Sequence, residues 1–233
     1  MIKLIDILKE ENKILIPRRS KEERQKNYLI SIQKKIQQYI KDGSKGDLDL
    51  GGAPITSLPN NLQINGTLDL SNTPITSLPN NLKVGRDLYL NNTPITSLPD
   101  NLKVGRDLDL WDTKITSLPD NLQVDGILNL GKTPITSLPN NLKVGRDLIL
   151  YGTKITSLPD NLKVDGILNL NNTPITSLPD NLKVNGTLNL QNTPISKKYT
   201  KEQIKKMIED KGGYVKNNIY CRKKHIGARF CSN

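Results

Sequence analysis

The chain has 233 residues, with 34 Lys and Arg against 23 Asp and Glu, two cysteines, one histidine and 4% aromatic residues. Two cysteines are too few for a disulfide-stapled secreted scaffold, and one histidine leaves no repeated His-based catalytic or metal set. No apolar run approaches the roughly 18 residues of a membrane-spanning helix. The net charge of +11 is uneven: residues 1–46 hold 12 basic and 6 acidic side chains, residues 47–195 hold 11 and 14, and residues 196–233 hold 11 and 3. That division argues against a polyanion-binding surface along the whole length and puts the positive charge at the two ends.

The head opens with MIKLIDILKE, too short and too broken by Asp6 for a signal peptide, and without a small-residue cleavage site. An intracellular location is expected, with a virion as the other place. A basic arm follows at Pro17, Arg18 and Arg19. Ser20 and Glu23 then make an S-x-x-E capping box, and Leu29, Ile32, Ile36 and Ile40 follow at helical spacing until Gly43. This predicts a helix over residues 20–42 that covers the start of the next region. A helix lying on a membrane surface is the other reading of its Lys26, Lys34, Lys35 and Lys41.

From residue 55 to residue 194 one twenty-residue unit recurs seven times, beginning at Ile55, Ile75, Ile95, Ile115, Ile135, Ile155 and Ile175. A strict period without insertions predicts a solenoid, since twenty residues cannot bury a core alone. In the third copy the fixed apolar positions are Ile95, Leu98, Leu102, Val104, Leu108 and Leu110. The segment Leu108-Asp109-Leu110 alternates, which makes it a short strand with both leucines inward. Eight such strands at equal spacing predict one parallel sheet, and crossovers between parallel strands are right-handed. A proline in every copy, from Pro59 to Pro179, removes a donor and argues for an extended or polyproline-like return path. Gly85, Gly105 and Gly145, or one place later Gly66, Gly126, Gly166 and Gly186, are expected to allow positive φ where the chain turns into the sheet.

The unit, ITSLP followed nine residues later by L-x-L, resembles a leucine-rich repeat of the short bacterial class carried by secreted effectors of enteric pathogens. The resemblance implies a horseshoe with a concave parallel sheet and a thin convex side. Where such repeats carry an asparagine after the strand, this chain has Thr73, Thr93, Thr113, Thr133, Thr153, Thr173 and Thr193, so a buried ladder of hydroxyls is expected, helped by Asn61, Asn81 and Asn101. The effectors' catalytic domain has no counterpart, and no activity carries over. The flanking stretches PRRSKEER, KGDLDL and ISKKYTKEQIKKMIEDKGGY look like those of short repeat proteins of large tailed phages.

In the tail, Thr200 and Gln203 form a second capping box ahead of Ile204, Met207 and Ile208, and Gly212-Gly213 ends that helix. Tyr214-Val215 and Ile219-Tyr220 around Asn217-Asn218 read as a hairpin. Cys221, His225 and Cys231 offer three ligands where a structural zinc takes four; free thiols, a disulfide and a zinc site all stay open, and no cofactor or metal is expected. The resulting division is a basic helical cap over 1–46, a solenoid over 47–195, and a basic C-terminal cap over 196–233.

The repeats differ chiefly on the outward side of the strand. The middle outward position reads Asp49, Asp69, Tyr89, Asp109, Asn129, Ile149, Asn169, Asn189, and two residues later the chain has Gly51, Ser71, Asn91, Trp111, Gly131, Tyr151, Asn171, Gln191. Aromatics there have no core role and match interface anchors. The expected function is a non-enzymatic module that binds a protein on the concave sheet through Tyr89, Trp111, Ile149 and Tyr151, with Asp109 and Asp112 in a polar rim beside Asp87, Asp107, Asp147, Arg86, Arg106 and Arg146. A cation between Asp87 and Asp107 is weighed against a solvated, arginine-screened ladder. Arg18, Arg19, Arg222, Lys223 and Lys224 would give the caps electrostatic attachment or self-association. Two other classes stay open: a virion or assembly component docking through its basic ends, and nucleic-acid association through the tail, for which no binding motif is present.

Overall fold

The computed structural model describes residues 20–221. Two parallel sheets run the length of the repeats. The first has nine strands in chain order: Leu48–Asp49, Leu68–Asp69, Leu88–Tyr89, Leu108–Asp109, Leu128–Asn129, Leu148–Ile149, Leu168–Asn169, Leu188–Asn189 and Ile219–Tyr220. The second has eight: Gln63–Ile64, Lys83–Val84, Lys103–Val104, Gln123–Val124, Lys143–Val144, Lys163–Val164, Lys183–Val184 and Tyr214–Val215. The first is the L-x-L sheet that the repeat predicts. The second lies on the return path, where sequence reading expected no strand. Its polar residue faces out while Val104 and its equivalents are buried.

Each turn is held by an inward stack and by backbone bonds to the next turn. Ile95, Leu98, Leu102, Val104, Leu108 and Leu110 are all buried, as are their equivalents, in one cluster that continues from the first helix to Ile219. Register is strict: Leu108 sits between Leu88 and Leu128, and its N–H donates to Ile127 O at 2.8 Å. Residues 93–99, which end at Pro99, hold neither helix nor strand, as a fixed φ and a missing donor dictate.

Two expectations about the turn are corrected. None of the seven glycines before the strands has positive φ. They are small because the turns stack closely: a Cβ on Gly105 would collide with the carbonyl of Gly85, and one on Gly126 with the carboxylate of Asp107. The buried threonines form no ladder between turns either. Each hydroxyl donates within its own turn to the carbonyl three residues back, as Thr113 does to Leu110 O at 2.9 Å and Thr93 to Leu90 O at 2.6 Å. Asn61 and Asn81 are exposed residues at φ 59° and 60°, so they serve the backbone of a turn.

Helix α1 (Lys21–Lys41) starts at the capping box: Ser20 Oγ accepts from the Glu23 N–H at 3.0 Å and Glu23 accepts from the Ser20 N–H at 2.9 Å. It buries Ile32, Ile36 and Tyr39, while Ile40 is 42% exposed. The face is therefore turned by one residue from the expected stripe, because the Tyr39 hydroxyl reaches Ser44 O and Gly46 O, both at 2.9 Å, and burial pushes that hydroxyl's pKa up. Lys35 Nζ donates to the carbonyl of Asp49, tying the helix to the first strand.

At the other end, helices α2 (Pro194–Lys198) and α3 (Lys201–Asp210) lead into Tyr214 and beyond. The hairpin reading is overturned here. Tyr214–Val215 pairs in parallel with Lys183–Val184, and Ile219–Tyr220 with Leu188–Asn189. They complete a ninth turn, in which thirty-one residues separate Leu188 from Ile219 instead of twenty. Tyr199 stands where earlier turns carry the proline, and the extra residues form α3, whose Ile204 and Ile208 close the core.

Candidate functional site

Three residues of each turn face out from the nine-stranded sheet. Around Leu108 and Leu110, which are fully buried, Asp107, Asp109 and Trp111 point outward and are half-buried. In six of eight turns the middle outward residue is Asp or Asn, and its Oδ1 accepts from the backbone N–H two residues on. Asp109 holds Trp111 N this way at 2.9 Å, Asn129 holds Gly131 N at 3.1 Å, and Asp69 holds Ser71 N at 2.8 Å. This hydrogen bond fixes the strand end. Tyr89 and Ile149 are the two exceptions, giving up the local acceptor for an apolar side chain.

The next residue in each turn adopts positive φ, from Gly52 at 67° to Asn192 at 58°. Seven of these eight are Gly, Asn or Asp, the types that tolerate that region. Asp112, expected in the rim, is one of them: it is exposed at φ 55° and has a backbone reason to be there. Lys132, at φ 58°, is the exception, and its ammonium lies 5.0 Å from the centre of the Trp111 ring, within cation–π range.

Trp111 and Tyr151 come from turns that are not neighbours. Their rings stack with centroids 5.6 Å apart and 12° between planes. Gly131, in the turn between them, makes this possible: a Cβ there would run into the Trp111 ring at Cε3 and Cζ3. Ile149, on the Tyr151 strand, lies in register between Asn129 and Asn169. Tyr89 lies between Asp69 and Asp109, and among the described residues no ring contact joins it to Trp111.

Two members of the apolar patch escape a reading of the two variable columns. Ile127 and Ile167 occupy the outward position just before the strand; Ile127 is half-buried and Ile167 is 43% exposed. The signal lay in a third column, Asp47, Thr67, Asp87, Asp107, Ile127, Asp147, Ile167, Thr187, where aliphatic side chains interrupt polar ones.

Charge is segregated by face. The three outward columns hold seven aspartates (Asp47, Asp49, Asp69, Asp87, Asp107, Asp109, Asp147) and no Lys or Arg. The second sheet carries Lys83, Lys103, Lys143, Lys163 and Lys183 on its outward row. Several of the aspartates are anchored by backbone. Asp107 Oδ1 accepts from Ile127 N at 2.8 Å and Asp147 Oδ1 from Ile167 N at 2.7 Å. Asp87 accepts from Asp107 N at 3.2 Å and from the Thr67 hydroxyl at 3.3 Å, and lies 3.6 Å from Arg106 Nε. These contacts engage both Asp87 oxygens and one of Asp107, and among the described residues no group of three His, Cys, Asp or Glu could hold a metal ion. Burial pushes the Asp109 carboxyl up, while the Trp111 N–H and the Asn129 side chain pull it back. Burial, then the charges of Asp87 and Asp107, push the Tyr89 hydroxyl up; Arg106 offsets part of this.

Arg18, Arg19, Arg222, Lys223, Lys224, His225 and Cys231 lie outside the described residues. Cys221 is half-buried against the end of the core. No described helix is long and apolar enough to cross a membrane.

No protein-family model and no curated protein sequence matches the chain. Among solved structures it is similar to the leucine-rich-repeat domain of a Shigella effector, with a TM-score of 0.60 and 22% identity over 85% of this chain and 90% of that one. At that identity the likeness speaks to fold. With a twenty-residue period, stacked parallel strands, a leucine-lined interior and helices at both ends, the chain has the fold of a leucine-rich-repeat solenoid.

Proposed function

We propose that this chain is a non-enzymatic protein-interaction module whose partner lies on the outer face of the nine-stranded sheet. One observation carries the reading: a Trp111–Tyr151 stack, built across Gly131 and half open to solvent. A large, pre-ordered aromatic surface loses little side-chain freedom when covered, which is what an anchor requires. Ile149, Ile127 and Ile167 extend it; Ile127 and Ile167 stand in a column otherwise Asp or Thr, and Ile149 in one otherwise Asp or Asn apart from Tyr89. Tyr89 would be a separate contact nearer the first turn.

A second reading has the ends dock onto neighbouring subunits, as in a virion or assembly component. It is supported by the exposed lysines Lys197, Lys198, Lys201, Lys205 and Lys206 on α2 and α3. Nucleic-acid association through the basic tail is the third.

The test compares wild type with Trp111→Ala/Tyr151→Ala as bait in the native source, with circular dichroism to show that both are folded. A protein retained by wild type, lost by the variant, and bound one-to-one when purified supports the sheet face. Equal retention by both moves the interaction to the ends. Binding that falls steeply with salt and vanishes on nuclease treatment assigns it to nucleic acid.

A further inference from the structure

Six of the seven aspartates of the outer face lie in the first four turns, Asp47 and Asp49 beside Leu48, Asp69 beside Leu68, Asp87 beside Leu88, and Asp107 and Asp109 flanking Leu108. Of these seven, only Asp147 falls outside that arrangement. Trp111 ends the last of these acidic turns, and the apolar residues Ile127, Ile149, Tyr151 and Ile167 occupy the turns that follow. The face therefore has an acidic half and an apolar half, in a chain whose net charge is +11. Resting on the reading of this face as a binding site, we infer that its ligand is a cationic protein segment. Its Lys or Arg side chains lie over Asp49, Asp69, Asp107 and Asp109, and an aromatic or aliphatic side chain packs on the Trp111–Tyr151 pair.

Three features make the acidic half a receptor for cations rather than a solvated surface. The carboxylates are pre-oriented by the backbone N–H groups of Gly51, Ser71, Trp111 and Ile127, so they need little ordering on contact. A backbone hydrogen bond positions a carboxylate without cancelling its charge. Burial first, and then the charges of Asp87 and Asp107, raise the Tyr89 hydroxyl's pKa, with Arg106 offsetting part of this, so part of the shift reflects the same negative field. No lysine or arginine occupies the three columns; Arg106 reaches Asp87, the Lys132 ammonium stands over the Trp111 ring 5.0 Å from its centre, and Lys35 bonds the Asp49 carbonyl, leaving the Asp69, Asp107 and Asp109 carboxylates without a lysine or arginine partner among the ion pairs of the described residues. An anionic or nucleic-acid ligand would meet like charge over half of its footprint.

Trp111 is the chain's sole tryptophan, so intrinsic emission reports on the site directly. Three synthetic peptides sharing the same Phe and Leu anchors, and differing only in carrying lysines, glutamines or glutamates, are titrated against the full chain. The lysine peptide is expected to shift Trp111 emission at concentrations about tenfold or more below the glutamine peptide, with the difference collapsing at high salt as the charges are screened. Asp109→Asn, which keeps the Oδ1 acceptor used by Asn129, should weaken the lysine peptide and leave the glutamine peptide unchanged. A glutamine or glutamate peptide that binds as tightly as the lysine peptide overturns the inference and leaves the face as a binding site. If no peptide alters Trp111 emission, both the inference and the reading of the face fall.

Discussion

The Trp111 ring crosses the intervening turn to stack on Tyr151, 5.6 Å between centroids and nearly parallel. Two strand steps separate their backbones by about 9.6 Å, so the contact exists only because Trp111 leans over Gly131. A solvated surface under no constraint has no reason to keep a glycine where it clears space for a ring two turns away.

Gly131→Ala should break this stack while leaving the fold intact. The added methyl meets the Trp111 ring, and Gly131 does not have positive φ, so the backbone tolerates alanine. The loss should be about 0.5–1.5 kcal/mol, the worth of an aromatic pair, with Trp111 emission shifted to the red. An unchanged spectrum would mean that the stack does not form in solution.

Core and face should respond differently to truncation. Leu108 is fully buried between Leu88 and Leu128, so Leu108→Ala should cost about 2–5 kcal/mol through the cavity it leaves. Trp111→Ala removes a half-exposed side chain and should cost about 1.5 kcal/mol or less. Urea unfolding of both variants checks the order, and a reversed order would mean that the faces have been exchanged.

The glycine before each strand gives a third test. Gly105→Ala forces a Cβ against the Gly85 carbonyl and should destabilise by about 1–3 kcal/mol through overpacking. Gly105→Asn separates the two explanations, because asparagine tolerates positive φ and still carries a Cβ. It should be at least as damaging as alanine; rescue by asparagine would restore a conformational role for the glycine.

Asp109 predicts a pH dependence. Burial raises its carboxyl pKa, so the folded chain keeps that proton to higher pH than the unfolded chain. The contribution of this group to stability is fullest on the acid side and is lost as pH rises through its titration. Asp109→Asn keeps the acceptor for Trp111 N and removes the titration. The variant should be at least as stable as wild type at pH 7, with the gap closing as pH falls toward about 4, near the ordinary carboxylate range. Urea midpoints at both pH values decide it, and a variant less stable at pH 7 contradicts the burial argument.

Much of the fold was legible because the period is strict. Ile95, Leu98, Leu102, Val104, Leu108 and Leu110 and their copies announce the interior, and the boxes Ser20/Glu23 and Thr200/Gln203 mark the starts of α1 and α3. The second sheet was not legible, because Lys103–Val104 shows a single polar-to-apolar step, too short for a period to emerge. The ninth turn was hidden by α3, which puts Ile219 out of phase with the repeats and leaves two apolar pairs around Asn217-Asn218 that imitate a hairpin. In α1 the residues 36, 39 and 40 are all apolar or aromatic, and only the carbonyls of Ser44 and Gly46 decide that Tyr39 turns inward.

The candidate site was legible as a face but not as a constellation. Alternation about Leu108 and Leu110 places Trp111 and Tyr151 on the same side. That they touch depends on Gly131, which in sequence is one more small residue in a variable column. Ile127 and Ile167 were obscured because their column is mostly Asp and Thr, and Asp112 reads as a rim charge until its positive φ supplies another reason for it.

Acrylamide quenching of the single tryptophan reads whether a protein covers the Trp111–Tyr151 pair. With the protein that wild type retains present at saturation, the quenching constant of Trp111 should fall several-fold, as expected for a ring buried at the centre of an interface. An unchanged quenching constant in the fully formed complex would place the partner elsewhere on the solenoid and rule out the sheet face as its site.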